Sequence, residues 1–148
     1  MKPPNYFEGI LQLREVSQEV VDFVEDACIG SDRGQVAKVK KVKNGFDFYM
    51  QSNPFLRQLA KKIKENFSGE LVTTATLHTR DTKSNKDLYR VTVMFRELPV
   101  KKGDTFTLNG DEFEVLGVSE KILARDLKTK KKKQFRFSEL RKAAFDEQ

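Results

Sequence analysis

Between Asn53 and Gly69 the apolar residues Phe55, Leu56, Leu59, Ala60, Ile63 and Phe67 recur at helical spacing and make a single stripe. Arg57, Lys61 and Lys64 fall on the opposite face at i, i+4 and i+7, with Lys62 beside them. Asn53 followed by Pro54 reads as a cap and a first helical residue, and Gly69 as the stop. A helix with one apolar stripe must lay that stripe on another element. A second helix has the same demand. Ser17 reads as its N-cap, Val16 and Val21 as a hydrophobic staple, and Val20, Val21, Val24, Ala27 and Cys28 as its stripe up to Gly30.

The segments between these helices read as strands, so a sheet must carry both stripes. Tyr6–Arg14 contributes one strand, and Val36–Val42 another, with Lys38, Lys40, Lys41 or Lys43 on its exposed face according to a bulge near Lys40–Lys41. Asn44-Gly45 signals a hairpin and Phe46–Gln51 the returning strand, while Ser31–Gly34 reads as a loop. Glu70–Thr79 and Leu88–Leu98 make two long strands joined by Arg80–Asp87. The alternation Tyr89, Val91, Val93, Phe95 marks a buried face. The order β-α-β-β-α-β-β predicts a ferredoxin-like α+β domain over residues 5–98 with one strand appended. Helices should cover one sheet face and leave the other open to partners or to the rest of the chain.

Pro99 marks a boundary. Beyond it, short strands alternate with Gly103-Asp104, Asn109-Gly110 and charged turns, which predicts a small SH3-like β-barrel over residues 99–143. Phe135 and Phe137 alternate and read as barrel core. Apolar residues are 38% of the chain, below the usual ~45–50%, and charged residues are 34% against ~25%. The core is therefore modest and the surface densely charged. No apolar run approaches the ~18 residues of a membrane span, and Met1–Gly9 lacks the apolar stretch of a secretory signal. With Cys28 as the one cysteine, an intrachain disulfide is excluded and a cysteine-based zinc site disfavoured. These features predict a soluble cytoplasmic protein with no membrane partner and no cofactor.

Charge is distributed unevenly. Residues 1–34 hold 3 Lys/Arg against 7 Asp/Glu, residues 35–100 hold 13 against 6, and residues 101–148 hold 12 against 9. The whole basic excess behind a pI near 9.4 thus lies beyond residue 34. Clustered cations of this kind are the electrostatic footprint of nucleic-acid binding. Lys38, Lys40, Lys41 and Lys43 crowd one strand, and Arg57, Lys61 and Lys64 one helix. Lys128, Lys130, Lys131, Lys132 and Lys133 crowd a barrel loop, where a phosphate backbone would relieve their mutual repulsion. Arg80, Lys83 and Lys86 sit at the tip of the long hairpin. A lysine coat that only confers solubility, on a protein-interaction module, is the bland alternative.

Catalytic signals are sparse. His78 lies three residues from Asp81 and could serve an RNA-processing enzyme as an oriented base, but both positions suit the mouth of a hairpin. Nucleotide-binding glycine loops, H-E-x-x-H and G-x-S-x-G are absent, which argues against a small-molecule substrate. Glu25-Asp26 and Asp111-Glu112 are adjacent pairs that diverge, so they make poor metal clamps.

Tyr6–Arg14, Gly45–Tyr49 and Leu77–Thr92 together resemble the NMD-three family, the export and assembly adaptors of the large ribosomal subunit. The resemblance covers residues 6–98, and the barrel is similar, through weaker motifs such as Gly103-Asp104, to that family's next domain. In the family this pair of domains is similar to a translation elongation factor that occupies the E site. The resemblance implies a non-enzymatic factor of ribosome assembly or quality control. Its partners would be large-subunit RNA near the tRNA exit site and the neighbouring stalk with its proteins. The paired C-x-x-C zinc motifs and the C-terminal shuttling signals of the eukaryotic members have no counterpart here. Zinc and nuclear export are therefore not carried over, and the chain is similar to an archaeal-type short form, a paralogue or a trimmed piece of a longer member.

Overall fold

The structure is a computed structural model that describes residues 6–30, 36–81, 86–98 and 100–145, without the side chains of 78–81, 86–88 and 141–142. The loop expected at Ser31–Gly34 and the boundary expected at Pro99 lie outside the described residues. The chain divides into two compact units. One runs up to Phe67 and adds Leu71–Glu97, and the other joins Ser68–Glu70 to the chain from Leu98 onward.

The first unit contains β1 (Gly9–Arg14), α1 (Gln18–Ile29), β2 (Val36–Val42), β3 (Gly45–Met50), α2 (Asn53–Asn66), β4 (Gly69–Asp81) and β5 (Lys86–Glu97), the first two residues of β4 falling with the second unit. Its sheet runs β2-β3-β1-β5-β4, with β1 antiparallel to β3 and parallel to β5. A ferredoxin-like order would seat the strand after α2 beside β1. Instead β5, read from sequence as appended, takes that place and β4 lies on the edge. Burial decides the exchange. Val91, Val93 and Phe95 of β5 are buried, whereas the threonine-rich stretch of β4 from Val72 to Leu77 is exposed throughout.

Leu11 and Leu13, Phe48 and Met50, and the three buried β5 residues present one apolar face. Val20, Val21 and Val24 of α1 and the α2 stripe close over it, with Phe23 and Phe67 in edge contact at 5.4 Å. Tyr89 extends the alternation in sequence but is 50% exposed. It sits where α2 begins, and its carbonyl accepts from Asn53 Nδ2 at 3.2 Å. The cap of α2 is Ser52, one residue earlier than expected, and its Oγ accepts from Phe55 N–H. Asn53 donates its own N–H to Glu8 Oε2 at 2.9 Å, which places a carboxylate at the positive end of the helix. Helix α2 also stops at Asn66, and Gly69 opens β4 instead.

Gly9 explains how closely α2 approaches the sheet. A Cβ there would stand 2.5 Å from Asn53 Oδ1 and Leu56 Cδ2 and 2.9 Å from the Val91 carbonyl. We expect Gly9→Ala to destabilise the fold by about 1–3 kcal/mol in urea denaturation, through displacement of the helix start.

The second unit contains β6 (Thr105–Leu108), β7 (Asp111–Val118), β8 (Ile122–Asp126), β9 (Lys132–Phe135), a 3-10 helix (Phe137–Lys142) and β10 (Ala144–Phe145). Its antiparallel sheet runs β10-β6-β7-β8-β9. Asn109 and Gly110, both at positive φ (53° and 85°), make the two-residue turn that the sequence signals. Phe106, Phe113, Val115, Ile122, Phe135, Phe137 and Leu140 form its core, and the expectation for Phe135 and Phe137 holds.

Candidate nucleic-acid interface

Because both helices lie on one side of the first sheet, the alternate side chains of its strands line the other side. Register places Tyr49 and Asp47 of β3 beside Ile10 and Gln12 of β1 on this helix-free face, and opposite Lys38 and Lys40 of β2. β5 adds Arg90, Thr92, Met94 and Arg96. Phe7, just before β1, meets Tyr49 edge-on at 4.9 Å. Arg90 lies over the Phe7 ring at 4.0 Å, and Lys38 Nζ over the Tyr49 ring at 4.7 Å. The result is a ribbon, Lys38–Tyr49–Phe7–Arg90, that crosses the sheet with a cation at each end. Two rings flanked by positive groups suit a polyanion whose bases can stack.

Arg14 and Arg96, also on this face, stand beside carboxylates. Arg14 Nη2 stands 2.7 Å from the nearly buried Asp47 Oδ1, off the line of a hydrogen bond, while its Nη1 donates to the carbonyls of Leu13 and Phe46. Arg96 stands 4.0 Å from Glu15. A groove of about 260 Å³ lined by Thr76, Leu77, Arg90 and Thr92 continues the face toward β4.

The basic clusters of β2 and α2 are largely separated by the sheet. Lys38 and Lys40 belong to the helix-free face, Lys41 pairs with Phe46 and so to the helix side, and Lys43 lies in the turn. The bulge expected near Lys40–Lys41 occurs between Val36 and Lys38. Arg57 and Lys61 are exposed on α2, on the other side of the sheet, and Lys64 is half-buried and already engaged. Arg80 and Lys86 fall in β4 and β5 with side chains outside the description, and Lys83 lies outside the described residues.

In the second unit, Lys128, Lys130, Lys131, Lys132 and Lys133 are all exposed at the β8–β9 turn. Asp126 builds that turn: its Oδ1 accepts from the N–H of Lys128 at 2.8 Å and of Thr129 at 3.2 Å, and its carbonyl accepts from Lys130 N–H. Lys130 sits at φ 64°. Lys132 and Lys133 are strand residues on opposite faces of β9, and Lys133 Nζ lies 5.1 Å over Phe135. The Lys128 and then the Thr129 backbone donors hold the Asp126 carboxyl below the usual carboxylate range. A depressed pKa means the turn is fully held above the ordinary carboxylate value and loosens as pH falls through the lower folded one. We expect the protection of the Lys128 and Thr129 amides, relative to their intrinsic exchange rates, to hold from neutral pH down to the ordinary aspartate range and to fall only below it.

Groups with catalytic potential fare poorly. Burial, and then the nearby Glu25 carboxylate, push the Cys28 thiol up to about 11, so it is a thiol and not a nucleophilic thiolate at neutral pH. His78 lies within β4 and Asp81 is its last residue, as a hairpin mouth requires, and their side chains are outside the description. Among the described residues no three of His, Cys, Asp or Glu gather as a metal site. No described helix is long and apolar enough to cross a membrane.

Residues 6–96, which carry the ribbon and the long hairpin, match the family described as "NMD3, second domain". The chain belongs to the NMD3 family. It is a ribosome-related family, one of adaptors and not of enzymes. No curated protein matches the chain. The NMD3 match ends at Glu97's neighbour Arg96, so the polybasic β8–β9 turn stands outside it. Sequence reading found the lysines of this NMD3 chain but missed Phe7, Tyr49 and Arg90. The signal was present: in Phe46–Met50, alternation sends Tyr49 and Asp47 to the face opposite Phe46 and Phe48.

Proposed function

We propose that this chain is a non-enzymatic factor that binds the large ribosomal subunit through its RNA, near the tRNA exit site, during assembly or quality control. Family membership supports the ribosome as target, and the Lys38–Tyr49–Phe7–Arg90 ribbon is the observation that carries RNA as the ligand. Lys40 and Lys43 extend the ribbon's charge along the hairpin. Arg80, Lys83 and Lys86 at the long hairpin and Lys128 and Lys130–Lys133 at the β8–β9 turn add phosphate contacts, with stalk proteins as further neighbours. Arg57, Lys61 and Lys64, with Lys41, supply a weaker and separate basic surface. The two domains would be residues 5–98 and an SH3-like barrel over 99–143, and the site of action the cytoplasm.

Sedimentation with purified ribosomal subunits tests this reading. The chain should pellet with large and not small subunits, and lose the association as salt rises. Phe7→Ala with Tyr49→Ala should weaken it at least about thirtyfold, at ~1–3 kcal/mol per stacked base. Equal recovery with both subunits, or RNA cleavage that His78→Ala abolishes, would overturn it.

A further inference from the structure

The two edges of the first sheet differ in a way that concerns association. β2, at one end, carries exposed Lys38, Lys40 and Lys41, and its register shifts between Val36 and Lys38. Charge and a bulge are two devices that stop an edge strand from pairing with another chain. β4, at the other end, has 13 residues and is uncharged and free of proline from Leu71 to Thr79. Every residue from Val72 to Leu77 is exposed, including Val72 (42%) and Leu77 (56%). Valine and threonine favour extended backbone, so the edge is already shaped for another strand.

We propose that β4 pairs antiparallel with β4 of a second copy of this chain, centred on Ala75, so that two sheets become one across a two-fold axis. The register follows from parity. Along an edge strand only every second residue turns its N–H and C=O outward. Opposite residues must therefore share parity, so a two-fold pairing is centred on a residue and never between two. Centring on Ala75 sets Thr74 across from Thr76 of the second copy and Thr73 across from Leu77. It also sets Glu70 across from Arg80 at both ends, which joins opposite charges on either side of an uncharged strand. Centring on Thr74 would set Glu70 against His78, and centring on Thr76 would set Val72 against Arg80. Both lose that match. Leu77 gains diagonal neighbours in Ala75 and Leu71 of the second copy, which covers the most exposed apolar side chain of the strand.

Sedimentation equilibrium of the full chain, with amide exchange at several concentrations, tests the proposal. A single added strand pair is a small interface, so the dissociation constant should be of the order of 100 μM. Protection at residues 72–78 should rise with concentration. Thr74→Lys with Thr76→Lys sets like charges opposite each other and should weaken the dimer at least about tenfold, whereas Thr74→Lys with Thr76→Glu should restore it. Circular dichroism and unfolding midpoints of both double variants establish that they fold. A chain that stays monomeric up to about 1 mM overturns the proposal, and so does a dimer whose β4 amides do not change. Equal dissociation constants for the two double variants overturn the Ala75 register. A monomer that instead gains β4 protection from an uncharged extended peptide assigns the edge to a different partner.

Discussion

Gly45→Ala is expected to cost the fold about 3 kcal/mol, a large share of the ~5–15 kcal/mol that holds a typical domain together. In sequence this glycine reads as half of an Asn-Gly turn. In the structure the turn is Lys43-Asn44, and Gly45 is the first residue of β3, paired with Arg14 of β1. A Cβ at Gly45 would overlap the Leu13 carbonyl oxygen and stand 2.8 Å from the carbon of that group. Those atoms are backbone, so no rotamer change makes room. The strand must move, and β1 is bonded on both sides, to β3 and β5. Displacing it disturbs Leu11 and Leu13, both fully buried. Urea denaturation should show a lower midpoint with an unchanged slope. Gly110→Ala is the comparison: Gly110 has φ 85° but nothing within 4 Å of an added Cβ. It should cost only the backbone strain, roughly 1–2 kcal/mol. If the two variants lose equal stability, the close approach of β1 and β3 at Gly45 is not what requires the glycine.

The α2 stripe was legible because six apolar residues at one spacing leave no other solution, and the alternation of Val91, Val93 and Phe95 was legible for the same reason. What the sequence could not supply was the order of strands. Periodicity states that β4 and β5 are strands, but only the relative burial of their faces decides which lies beside β1. Competition among nearby polar groups moved the α2 cap to Ser52, because Glu8, distant in sequence, accepts the Asn53 N–H. The candidate site suffered from the same limit. Lys38, Arg57 and Lys61 are all basic in sequence, yet a sheet separates the first from the other two. Counting charges finds cations, and only the pleat and register say which ones share a surface.

Neutralising the β8–β9 turn with Lys130→Asn, Lys131→Gln, Lys132→Gln and Lys133→Gln should weaken subunit binding tenfold to a hundredfold at low salt, at ~1.4 kcal/mol per tenfold. The slope of log affinity against log salt should flatten by roughly 0.7–0.9 for each phosphate contact removed. The fold should be nearly indifferent, because the turn is held by Asp126 and the backbone and not by lysine side chains. Asparagine at position 130 accepts the positive φ of 64° found there. The one lysine with a packing role is Lys133 over Phe135, and an exposed cation–π contact is worth only about 0.5–1 kcal/mol. Relief of repulsion among neighbouring ammonium groups acts in the opposite direction. Loss of binding without loss of stability therefore isolates electrostatics from folding. The matched Lys→Arg set keeps every charge and should retain both affinity and slope. Footprinting of the ribosomal RNA then locates the contact, since nucleotides deprotected by the neutral variant and protected by the arginine variant lie beneath this turn. An unchanged slope in the neutral variant would show that these lysines only face solvent, and the RNA contact would then rest on the Lys38–Arg90 ribbon and the basic residues of the first unit.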